Sequence, residues 1–127
     1  MTTPFPLVEK AVKELIETKY PAAANNIGGD LAYDGDELYV YINLMTGSSD
    51  QLGGEWVLDI DCFAPSYIEA RQHALLIESV LLGPRHVTST MRLDNCTQNE
   101  SPVERPWNVE DQFRVGATYV FTARRTG

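Results

Sequence analysis

The residues best suited to chemistry are the two carboxylates of Asp59-Ile60-Asp61. Side chains two apart on a strand point to the same side, so both would share one face. A metal nuclease uses such a pair to hold Mg²⁺, with a third carboxylate close by. The competing reading is structural. Arg114 and Arg124 fall on one face of what reads as the last strand, where they would neutralise the pair across the sheet. No further acidic motif supplies a convergent third ligand, so the ion-pair reading is preferred. His73 and His86 have no partner at metal-ligand spacing and read as solvated or packing residues. Cys62, beside Ile60, reads as a small hydrophobe. No serine sits in a G-x-S-x-G elbow. Gly28-Gly29 and Gly53-Gly54 lack the lysine of a phosphate-binding loop and read as turns. No catalytic, cofactor-binding or metal-ligating residue is assigned, and no enzyme activity and no cofactor are expected.

Arg105-Pro106-Trp107-Asn108 points to binding instead. A tryptophan in a proline-bounded loop either covers the edge of a core or anchors a neighbouring subunit. Tyr39 and Tyr41, in line with Val57 and Phe63, suggest a sheet face that is not left wet.

The elements that must position these residues follow from spacing. Leu7, Val8, Ala11, Val12, Leu15 and Ile16 form an apolar stripe, predicting a helix from about Pro6 to Lys19 stopped by Pro21. Leu38 to Leu44 and Glu55 to Phe63 alternate as strands, joined across a polar, Gly-rich connection from Thr46 to Gly54 as an antiparallel hairpin. Ser66 and Glu69 make a capping box for a second helix that Gly83-Pro84 ends. Its buried stripe would be Tyr67, Ala70, Ala74, Ile77 and Leu81. His86 to Asp94 reads as a third strand, Asn95 to Asp111 as a long loop, and Gln112 to Arg125 as the last strand. The expected fold class is α+β, a four-stranded mainly antiparallel sheet with two helices packed on one face. The other face stays available for a partner.

The chain of 127 residues argues for one compact domain over 1–127, long enough for a core without disulfides or metals. Eighteen acidic against ten basic residues give a formal charge of −8. Such a surface repels phosphate backbones, so no specific nucleic-acid binding is expected, which does not exclude DNA passing by without sticking. No signal peptide and no apolar run of membrane-spanning length is present, so no membrane partner is expected. Cys62 and Cys96 are too few for a disulfide framework and fit a reduced, cytoplasmic setting.

Three stretches carry a family likeness: Leu58-Asp59-Ile60-Asp61-Cys62-Phe63-Ala64; Ile68-Glu69-Ala70-Arg71-Gln72-His73-Ala74; and Arg105-Pro106-Trp107 through Phe113-Arg114-Val115 to Arg124-Arg125. In order and spacing, Glu55 to Arg125 resembles the tail terminator (tail completion) proteins of long-tailed bacteriophages, especially those of actinobacterial hosts. Met1 to Tyr20 resembles them loosely. The resemblance implies a structural protein of the virion tail or neck, assembled in the host cytoplasm. It would form a homo-oligomer, a hexameric ring that caps the tail tube, stops addition of tail tube protein and offers a docking surface to the head–tail connector protein. Thr46, Ser48, Asp50, Gln51 and Leu52 at the hairpin tip are the candidate ring or tube contacts, with the Asn95 to Asp111 loop. The competing readings are a head-completion or connector-side neck protein, a small metal-dependent nuclease centred on Asp59 and Asp61, and an adaptor that binds a peptide along a sheet edge.

Overall fold

A computed structural model describes residues 8–29, 31, 33–35, 38–49, 53–88, 92–98 and 100–124. Helix α1 (Val8–Lys19) buries Val8, Ala11, Val12, Leu15 and Ile16, the spacing of one helical stripe. It stops where Pro21 opens a short 3-10 turn, because proline has no amide hydrogen to extend the ladder. Helix α2 (Tyr67–Leu81) begins at Ser66, whose side chain accepts a hydrogen bond from the Glu69 amide at 3.2 Å. It ends at Leu82, and Gly83 follows with φ +111°, a backbone angle that favours glycine. Ala70, Ala74, Ile77 and Leu81 are buried as the spacing predicts, but Tyr67 is 38% exposed and lies off the stripe.

The strands are β1 (Ile27–Gly28), β2 (Tyr39–Ser49), β3 (Gly53–Ala64), β4 (Gly83–Val87), β5 (Arg92–Gln98), β6 (Val103–Glu104) and β7 (Phe113–Arg124). They form a seven-stranded sheet in the order β1-β2-β3-β7-β5-β4, with β6 paired to β7. The expected four-stranded antiparallel sheet is therefore corrected: the sheet is larger, and it is mixed because β1 runs parallel to β2. The extra strands come from three places. The β-prone run after α2 doubles back as the β4–β5 hairpin instead of forming one strand from His86 to Asp94. The stretch read as one loop from Asn95 to Asp111 begins inside β5 and contributes β6. Ile27–Gly28 joins the outer side of β2, held by the Val40 amide on the Asn26 carbonyl at 2.8 Å. Pro84 is tolerated in β4 because this strand is the sheet's last, where an amide need not reach a neighbour. Arg85 beside it has φ +62°.

Alternation assigns the two faces. Val40, Ile42, Trp56, Leu58, Ile60, Cys62, Val115, Ala117, Tyr119 and Phe121 are buried on one, with α2 over β3 and β7 and α1 over β2. Tyr39, Tyr41, Asp59, Asp61, Phe63, Arg114 and Thr118 occupy the other.

The stretch from Thr46 to Gly54 is not a loose connection: β2 continues through Ser49 and β3 starts at Gly53. A bulge after Leu44 shifts the register, so Leu44 opposes Leu58 but Thr46 opposes Val57 and Ser48 opposes Glu55. That one-residue slip turns Thr46 and Ser48 to the face away from the helices and sets Gly47 opposite Trp56. Trp56 lies across this end of the ribbon; a Cβ on Gly54 would come within 2.6 Å of its indole, which is why a glycine stands there.

Candidate functional site

The second face carries a cluster in which acid, guanidinium and aromatic groups close over one another. Asp61 opposes Tyr41 on one side and Gly116 on the other. Its carboxylate lies over Gly116 so closely that a Cβ there would overlap Oδ1, and Asp61 is fully buried. Oδ2 accepts two hydrogen bonds from Arg114, from Nε at 3.0 Å and Nη2 at 2.7 Å, the bidentate geometry a guanidinium favours. Oδ1 sits 3.3 Å from Arg105 Nη1 without an aligned hydrogen bond. The same Arg105 nitrogen is 3.0 Å from Asp59 Oδ1, which also accepts from Thr118 Oγ1 at 2.5 Å. Burial pushes the Asp61 carboxyl above its ordinary value, while the hydrogen bond from Arg114 and the charges of Arg105 and Arg114 pull against that rise.

The arginines are positioned by aromatic groups and by backbone. The Arg114 guanidinium lies 5.8 Å from the Tyr41 ring, 5.5 Å from Phe63 and 5.9 Å from Trp107. Trp107 meets Phe63 edge-on at 4.8 Å, Tyr33 stacks on Phe63 at 5.6 Å, and Trp107 Nε1 donates to Gln112 Oε1 at 3.0 Å. The Arg105 amide donates to the Arg114 carbonyl at 2.8 Å, continuing the β6–β7 pairing. Residues 105–112 therefore fold over the sheet and are fastened by charge at one end and by an indole in the middle. Trp107 thus covers the edge of the core at Phe63.

The paired aspartates do share a face, and Arg114 does pair with Asp61. The second cation is Arg105, not Arg124. Arg124 stands in register with Gly53, six positions beyond Thr118 and so about 20 Å along the strand. Sequence periodicity could not find Arg105, because it lies outside any alternating run. Both carboxylates already face guanidiniums, and among the described residues no three His, Cys, Asp or Glu side chains gather as a metal site. The arrangement locks a loop to a sheet.

The remaining singled-out residues scatter. The Tyr20 hydroxyl hydrogen-bonds His73 Nδ1, tying the end of α1 to α2, and burial raises the Tyr20 pKa. His86 is buried and its Nε2 donates to the Leu81 carbonyl at 2.8 Å, closing the turn between α2 and β4. Cys62 and Cys96 are free, buried thiols on different strands; burial pushes Cys96 up to about 12 and Cys62 higher still. Thr46 and Ser48 are exposed near the end of β2, whereas Asp50, Gln51 and Leu52 lie outside the described residues. No described helix is long and apolar enough to cross a membrane.

No family profile matches this chain, and no curated protein does. Among solved structures, the chain is similar to a component of the virion of a native gene transfer agent (GTA) particle, with a TM-score of 0.62 and 19% identity. The match covers 93% of this chain and 95% of that one. At that identity the likeness is one of fold.

Proposed function

We propose that this protein is a non-enzymatic structural component of a phage-like virion and that it serves as the tail terminator. Copies close a hexameric ring on the finished tail tube, halt addition of tube protein and offer the opposite rim to the head–tail connector. The observation that carries this reading is the end-to-end fold likeness to a chain of a gene transfer agent virion, covering 93% of one chain and 95% of the other. The second face agrees with it: Asp59 and Asp61, the best candidates for catalysis, are engaged by Arg105 and Arg114 in holding a loop. Thr46 and Ser48, exposed near the end of β2, are the proposed contact with the ring or tube.

The test is assembly without the protein. Particles made in its absence carry abnormally long tubes without heads, and adding the purified chain restores normal length. Tubes of normal length that still fail to join heads would move the assignment to a connector-side neck protein. Deleting Ser48 to Leu52 abolishes capping; intact capping in that variant would remove the hairpin from the contact.

A further inference from the structure

Two separated surfaces of this chain carry exposed aliphatic side chains beside charged groups. All three lysines of the sequence, Lys10, Lys13 and Lys19, are on α1 together with Glu9, Glu14 and Glu17, and this helix lies over β2. Between α1 and the β1–β2 pair runs a groove of about 410 Å³ whose walls include Glu9, Lys10, Lys13, Ile27, Asn43 and Leu44. Leu44 is 39% and Met45 55% exposed beside it. Strand β1 pairs with β2 only at Val40 and Tyr41, and among the described residues no strand lies against this outer edge of β2 beyond them.

A second surface, along β6 on the side of β7 away from β3, is acidic. Glu100, Glu104, Glu110 and Asp111 are exposed along the segment that contains β6. Arg105, the one basic residue from 100 to 112, is turned inward to Asp59 and Asp61, and Arg71 reaches the segment through the Pro102 carbonyl, to which its Nη1 donates at 3.4 Å. Val103 and Val109, exposed by 43% and 44%, stand among them. Each surface thus carries exposed aliphatic side chains beside charge: Lys10 and Lys13, with Glu9, at the groove, and four carboxylates along the 100–111 segment.

We infer that copies of this chain join head to tail, the α1–β2 groove of one receiving the 100–111 segment of the next. Lys10 and Lys13 meet the carboxylates, and Leu44 and Met45 meet Val103 and Val109. The two surfaces differ, so the contact is heterologous and repeats around an axis until it closes. A surface that paired with itself would stop at a dimer. The inference rests on the ring reading above and names the interface that builds the ring.

Zero-length carbodiimide coupling tests the contact directly, because it joins an amine to a carboxylate only where the two touch. A mixture of light and heavy nitrogen-labelled protein is expected to give mixed-isotope cross-links between the peptide holding Lys10 and Lys13 and that holding Glu100 to Asp111. Lys10→Glu with Lys13→Glu, or Glu104→Lys with Glu110→Lys, each weakens self-association by at least about tenfold. Mixing the two variants, or combining all four changes in one chain, restores it. Lys10, Glu104 and Glu110 are exposed and Lys13 is half-buried, and circular dichroism checks that each variant is folded. Cross-links confined to single molecules, or association unchanged by either reversal, would overturn the inference. If the wild type still forms rings in that case, the ring reading survives with another interface; if it never associates, alone or on tubes, both fail.

Discussion

A carboxylate can be enclosed as fully as Asp61 only when cations replace the water it loses, and here they come from two separate segments. Removing it leaves Arg114 and Arg105 facing an empty site, so Asp61→Ala should cost about 3 kcal/mol in denaturant unfolding, and Asp61→Asn less. The pH dependence has a definite sign. Burial holds the folded-state pKa of Asp61 above its unfolded-chain value, so the fold takes up this proton more readily. Its contribution to stability is fullest below the unfolded value and declines as pH rises through the folded one. The margin of wild type over Asp61→Asn is therefore widest in acid and narrows toward neutrality, measured by urea midpoints across the carboxylate range. A margin that widened with pH would show that the guanidiniums outweigh burial. The thiols allow a simpler check. Cys96, pushed up to about 12, and the more deeply buried Cys62 should resist alkylation in the native protein and react together on unfolding. Labelling of either in the cold native state would contradict the burial described.

At the level of elements, α1, α2, β2, β3 and β7 are legible in the sequence because each carries its own periodicity. In β3 the alternation of Trp56, Leu58, Ile60 and Cys62 against Val57, Asp59 and Asp61 is enough to orient both faces. The short strands carry no such signal. β1 and β6 are two residues long and exist through hydrogen bonds supplied by β2 and β7, a tertiary cause that local pattern cannot reveal. The same holds for the site: Asp59, Asp61 and Arg114 are readable by spacing, while Arg105 is brought to them by β6. The bulge after Leu44 was likewise hidden, and it makes the hairpin end polar on one face and sealed by Trp56 on the other. Gly47→Val should overlap the indole and cost about 1–3 kcal/mol. Hydrogen exchange should then quicken in β2 beyond Met45 while the amides of β7 remain protected. Equal loosening of both strands would mean that the hairpin end and the core unfold as one unit.

For the whole molecule, a contact of Lys10 and Lys13 with the 100–111 carboxylates of the next copy predicts that association weakens with salt, since contacts between exposed charges are screened at ionic strengths near physiological. Sedimentation at low and high sodium chloride should show the complex shrinking as salt rises; growth instead would mean that burial of Leu44, Met45, Val103 and Val109 dominates. The last strand of the sheet bears on how such copies avoid another fate. Pro84 offers no amide hydrogen, and Arg85 bends the backbone into the left-handed region. A rim built this way is a poor template for zipping on a further ribbon, so molecules crowded at a growth point are kept from stacking into amyloid-like fibres along it.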